Sequence, residues 1–188
     1  MKKNLYGHLI DLDRLLWSQE FSGQDKRREL DHFLYRVERI MREDGIISLD
    51  EVKRTFYAAR SIIDQGFCDH YSRAVIVQGL ALRRMARNPL VKKDHFMSLS
   101  GSLSSSVEMI EGLSPDRWTI DAYIEAGKAF ERSAARTRSN IDLKRSGRSY
   151  SKALKLSKDQ DKPIIGKRLE KRLKGLKRKI IRGKIHGM

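Results

Sequence analysis

Ten cations, Lys167, Arg168, Lys171, Arg172, Lys174, Lys177, Arg178, Lys179, Arg182 and Lys184, crowd into the stretch IGKRLEKRLKGLKRKIIRGKIHGM. Guanidinium and ammonium groups at this density suit one chemistry above others, the neutralisation of a polyanion such as a phosphodiester backbone. The segment before it, FERSAARTRSNIDLKRSGRSYSKALKLSK, adds Arg136, Arg138, Lys144, Arg145, Arg148 and Lys152, with serine and tyrosine hydroxyls between them. Hydroxyls and guanidinium forks share phosphate oxygens, so this segment also reads as a phosphate-tracking surface. Together these residues form the candidate nucleic-acid-binding set.

The charge partition supports that reading. Residues 1–130 hold 20 Lys/Arg against 19 Asp/Glu, whereas residues 131–188 hold 20 against 5, so the net charge of +16 belongs almost wholly to the last third. Such asymmetry points to a polyanionic partner, either nucleic acid or an anionic membrane. At 100° per residue, Ile165, Leu169, Leu173, Leu176 and Ile180 fall within about 80° of one another on a helical wheel. This seam is narrow and has no aromatic residue. A membrane-surface helix usually carries a broader apolar face with Trp or Phe at its edge, so a membrane is the least favoured partner. A narrow seam instead suits docking on the protein's own body or on another helix. Gly166, Gly175 and Gly183 each weaken an isolated helix by about 1 kcal/mol, and the tail is therefore expected to order on binding.

Catalytic and metal-binding signals are sparse. RRELDH places Arg27 and His32 in an R-x4-H spacing, which resembles that of helical ribonucleases of the HEPN class. The resemblance implies a cation and a titratable imidazole acting at a scissile RNA phosphate, usually in a dimer. The competing reading puts both residues on the solvated face of a helix. IMREDGIISLDE resembles the second half of an EF-hand loop, with Gly45 at the sharp turn and Glu51 at the closing position, but Ile40 and Arg42 stand where carboxylate ligands belong. A capped joint between two helices is the expected structure there. His8, His70, His95, His186 and Cys68 do not fall at paired metal-ligand spacing, and no metal or cofactor is expected. Neither a glycine-rich phosphate loop nor a G-x-S-x-G elbow occurs, so a binding function is favoured over an enzymatic one.

Apolar residues recur every three or four positions almost throughout, and period-two alternation is hard to find. The fold class is all-α, a multi-helix bundle or helical array of about seven helices with a basic C-terminal helix. Leu5, Leu9, Leu12, Leu15 and Leu16 mark the first helix, and Leu30, Phe33, Leu34, Val37, Ile40 and Met41 the second. Asp44-Gly45 signals a turn, and Ser48 with Glu51 forms a capping box opening the third. The fourth, DHYSRAVIVQGLALRRMARNP, is strongly apolar and ends at Asn88-Pro89. The fifth runs from about Val91 to Glu111, and its small residues in SLSGSLSSSV suit close packing. The sixth is built on Trp118, Ala122, Ile124, Ala126, Ala129 and Phe130, and the seventh spans Ile141 to Ser157. Pro163 sits where the tail helix begins. IEAGKAF and YSKALKL each resemble one half of a tetratricopeptide hairpin, but the spacing between them is too long for that pattern.

Three regions follow: a near-neutral helical core over 1–130, a basic extension packing on it over 131–161, and the basic amphipathic tail over 162–188. The lysines at the start of the chain belong to no signal peptide, because His8, Asp11 and Asp13 interrupt the apolar run one would need. The single cysteine permits no internal disulfide, which fits a reducing, cytoplasmic or nucleoid-associated setting. The expectation is a non-enzymatic accessory protein that binds the RNA or DNA backbone through its last third, RNA slightly preferred, within a nucleoprotein assembly. A helical protein-protein adaptor is the first alternative.

Overall fold

The computed structural model describes residues 5–17, 23–43 and 45–185, apart from the side chains of Tyr6, Asp13, Leu16, Trp17 and residues 182–185. Asp44, half of the expected turn, and His186 lie outside the described residues. Eight α-helices and no strand are found among those described: α1 (Leu5–Trp17), α2 (Gly23–Arg42), α3 (Leu49–Asp64), α4 (Tyr71–Met85), α5 (Lys93–Glu111), α6 (Thr119–Thr137), α7 (Asn140–Asp159) and α8 (Pro163–Ile185). A 3₁₀ turn, Cys68–His70, leads into α4. The all-α bundle expected from periodicity is what forms.

Helix α4 is central because it is apolar nearly all round. Every residue from Tyr71 to Leu82 is buried, and a helix with no polar face must be enclosed by its neighbours. It packs against α2, α3, α5 and α6, while α6 packs on α7 and α7 on α8. One apolar core runs from Leu5 through Phe56, Ile76, Phe96 and Phe130 to Tyr150, Leu169 and Leu176.

Joints between helices are made by named polar contacts. The α3 N-terminus has the capping box read from the sequence: Ser48 Oγ accepts from the Glu51 amide at 3.2 Å, and Glu51 Oε2 accepts from the Ser48 amide at 3.0 Å. The C-terminal carbonyls of α2 are capped from a distance, because the Arg84 guanidinium on α4 donates to the carbonyls of Met41, Gly45 and Glu43. Asp142, in the first turn of α7, is buried and accepts from Ser100 Oγ of α5 at 2.6 Å, Ser133 Oγ of α6 at 2.7 Å and Arg145 Nη1 at 3.0 Å. A buried carboxylate with three donors ties three helices at one point. The small residues of α5 divide accordingly: Ser100 and Ser106 are buried, while a Cβ on Gly101 would meet nothing within 4 Å.

Two glycines set the spacing of α6. A Cβ on Gly79 of α4 would stand 3.1 Å from the backbone of Glu125, so α4 and α6 cross with main chains in contact. A Cβ on Gly127 would fall 2.5 Å from the Tyr150 ring, which lies flat on α6 and is fully buried. Because that ring is enclosed, it has nowhere to go. Gly127→Ala should therefore destabilise the fold by about 1–3 kcal/mol, the usual cost of overpacking. Gly175→Ala, with open space around it on exposed α8, should stabilise by roughly 0.5–1 kcal/mol. Thermal melts of the two variants against the parent chain check both signs.

Candidate nucleic-acid interface

Helix α8 is laid down by its seam. Leu169 and Leu176 are buried, at 3% and 2% exposure, and Ile165, Leu173 and Ile180 pack partly buried against the same core. Full burial of each leucine contributes about 2 kcal/mol. Of the two covers the narrow seam suits, the protein's own body supplies one: α7 lies along α8, Gly147 faces Leu176, and Gly166 rests against Ser157 and Leu154. This differs from a tail that gains its order only from a partner. The three glycines lower helix propensity, and tertiary packing of the seam outweighs them.

Seating the seam fixes where the cations point. At 100° per residue, Lys167, Lys171, Lys174 and Arg178 fall within about 60° of one another, centred opposite the seam, along roughly 16 Å of helix. All four are exposed, as are Arg168 and Lys177, and none of the six has an ion-pair partner among the described residues. Arg182 and Lys184 lie on the last turn, their side chains outside those described. No helix among the described residues is long and apolar enough to cross a membrane.

Two of the candidate cations are held by a carboxylate of the body. Arg172 Nε and Lys179 Nζ donate to the carboxylate of Glu131 on α6, at 2.9 Å and 3.0 Å. Tyr150 Oη donates to the same carboxylate at 3.0 Å, and the Arg172 guanidinium stands 5.2 Å from the Tyr150 ring centroid. Burial alone would raise the pKa of Glu131, but the hydrogen bonds from Lys179, Arg172 and Tyr150 and the Arg172 charge outweigh it, so the carboxyl titrates below its ordinary 4.5. Burial, reinforced by the Glu131 charge, pushes the Tyr150 phenol up. The junction is therefore ionised carboxylate, neutral phenol and two cations at neutral pH.

The extension splits the same way. Arg136 donates to the carbonyls of Pro89 at 2.8 Å and Val91 at 3.5 Å, Arg145 pairs with Asp142, and Lys152 pairs with Glu111 and stands 5.9 Å from the Tyr123 ring. These three hold the body together. Arg138 ends α6 in the left-handed region, with φ of 58°, and its side chain is exposed. Lys144 and Arg148 are exposed and unpaired among the described residues, and Lys155, two turns beyond Arg148, stands on the same face of α7.

The weaker catalytic candidates do not converge. Arg27 Nη1 pairs with Asp69 at 3.3 Å, and His32 is exposed on α2. The enclosed imidazole nearby belongs to His70, whose Nε2 lies 3.1 Å from the Arg27 carbonyl. The EF-hand-like stretch is occupied by the α3 cap, and Arg42 pairs with Glu38 at 3.0 Å. Residues outside the candidate set are Arg83, Arg87, Lys128 and Arg132: Arg83, Lys128 and Arg132 lie beside Arg172 and Lys179, and Arg87 lines the adjoining cleft with Arg83 and Lys128. Their sequence signal is i, i+4 spacing, of Arg83 with Arg87 and of Lys128 with Arg132.

The architecture is thus an all-α bundle closed by a docked cationic helix. No protein-family model, curated protein sequence or solved structure matches this chain.

Because the folded Glu131 pKa is depressed, the folded state binds fewer protons here than the unfolded chain. The stability this contributes is present above about pH 4.5 and is lost as pH falls through the lowered folded value. Melting temperatures of the parent chain should therefore drop on acidification. Glu131→Gln should be less stable at neutral pH and show a shallower acid limb; parallel acid limbs for the two proteins would contradict the junction's role.

Proposed function

We propose that this protein is a non-enzymatic nucleic-acid-binding accessory protein that contacts the RNA or DNA backbone through α8, with exposed cations of α7 in support. One observation carries the reading. The apolar seam of α8 is consumed by the protein's own core, while Lys167, Lys171, Lys174 and Arg178 face away from that core without counter-charges. A helix that kept its apolar face free would favour lipid or a partner helix; one that has buried it offers charge. The arrangement reads no bases, so recognition rests on phosphate and shape.

A second reading as a helical adaptor has its own support. Ile47, Leu49, Val52 and Leu90 line a recess of about 450 Å³ between α3 and the turn after α4, and Leu90 and the neighbouring Ile46 are exposed.

Replacement of Lys167, Lys171, Lys174 and Arg178 by alanine leaves the seam and the Glu131 junction intact, which truncation of α8 would not. If all four reach phosphates, parent-chain affinity for duplex DNA should fall roughly a hundredfold between about 50 and 200 mM salt. The variant should bind weakly with a slope lower by about three to four. Absence of binding at low salt, or a slope unchanged in the variant, would refute the assignment.

A further inference from the structure

Two clefts open along α4 and α6, with Arg83 and Lys128 as a common wall, and the second of them reaches α8. One, of about 240 Å³, reaches toward the end of α2 and includes Arg42, Arg87 and Glu125. The other, of about 300 Å³, includes Arg132, Glu131 and the α8 residues Arg172 and Lys179. Eight cations line the pair of clefts against two carboxylates.

The carboxylates act as struts rather than as counter-charges that cancel the site. Glu125 is 3% exposed. One of its oxygens accepts from Arg83; the other accepts from Lys128 at 2.7 Å and has Arg42 Nη1 at 3.7 Å. Burial opposes ionisation of Glu125, yet the hydrogen bond and charge of Lys128 with the charges of Arg83 and Arg42 lower its pKa overall. Glu131 holds Arg172 and Lys179 in the same manner. Cations fixed by buried carboxylates lose little rotamer freedom when an anion arrives, and a guanidinium that spends one or two N–H groups on a strut keeps the rest. Arg87 and Arg132 are exposed and have no side-chain partner among the described residues, so they are the free ends of the site.

From this geometry we infer that the paired clefts along α4 and α6, running from the end of α2 to α8, bind the sugar-phosphate backbone of single-stranded nucleic acid. The inference rests on α8 being a nucleic-acid surface and extends that surface into the body. Clefts of about 240 and 300 Å³ lie at or below the small end of ligand pockets. They are too small for a double helix, whereas a flexible single strand can turn successive phosphates into a basic groove. The outward stripe of α8 discriminates less, since a convex row of cations meets either form. Arg172 and Lys179 stand about 120° round α8 from the centre of that stripe, which makes α8 the wall between the two contact surfaces.

The test is fluorescence anisotropy of the full chain with a labelled single-stranded RNA and a labelled duplex DNA, each about 20 units long. Three proteins are compared: the parent, the double variant Arg87→Ala with Arg132→Ala, and the triple variant Lys167→Ala, Lys171→Ala, Lys174→Ala. The double variant removes only exposed, unpaired groups, and a parental melting temperature confirms its fold. It should bind the single strand about tenfold more weakly while duplex affinity stays within about twofold, and the triple variant should weaken both. Unchanged single-strand binding by the double variant, or equal loss for strand and duplex, overturns the cleft assignment while leaving the α8 surface standing. A parent chain that binds neither probe overturns both.

Discussion

A helix with ten lysines and arginines between Pro163 and Ile185 can lie against a folded body only where apolar surface and negative charge are supplied together. Tyr150 and Glu131 supply both at one place. The Tyr150 ring is pressed onto Gly127, in a core that continues to Leu169 and Leu176, and its hydroxyl reaches Glu131. Glu131 in turn draws Arg172 and Lys179 inward. Lys167, Lys171, Lys174 and Arg178 are left on the face opposite the seam, unpaired among the described residues. Without that junction the seam would still be apolar, but the helix would bring uncompensated positive charge against α6.

This arrangement explains how a protein can carry a strongly basic third and still close a single core. Charge is sorted by helix face: inward-leaning cations are used for structure at Glu131, Glu111 and Asp142, and outward ones are kept in solvent at little cost. The same sorting operates in the body, where Glu125 and Glu131 on α6 hold cations from α2, α4, α6 and α8. A formal charge near zero over residues 1–130 therefore conceals a locally basic cleft.

Much of the fold was legible from local pattern. The Ser48–Glu51 cap, the all-round apolar character of α4 and the α8 seam each depend on residues within a few positions of one another, so spacing reveals them. The long-range polar joints were not. Ser100 and Asp142, or Arg83 and Glu125, are separated by 42 positions, and nothing in either neighbourhood marks its partner. For the candidate site, spacing showed that cations concentrate on the last helix, but not which of them are held by other groups of the fold: Arg172, Lys179, Arg136, Arg145 and Lys152 were read together with the solvent-facing ones. Only the helix orientations separate structural cations from free ones. Arg83, Arg87 and Lys128 went unread because acidic residues over 1–130 cancel them in a charge count.

The tail's low helix propensity, with its three glycines, argues for order gained on binding; the packed seam argues for order already present. Amide hydrogen exchange on the free, full-length chain decides between them. If α8 is docked as described, amides over residues 169–177 exchange slowly without nucleic acid, with protection comparable to that of α7. Exchange at unfolded rates across α8, with protection appearing only on addition of nucleic acid, would contradict a preformed, core-anchored cationic face.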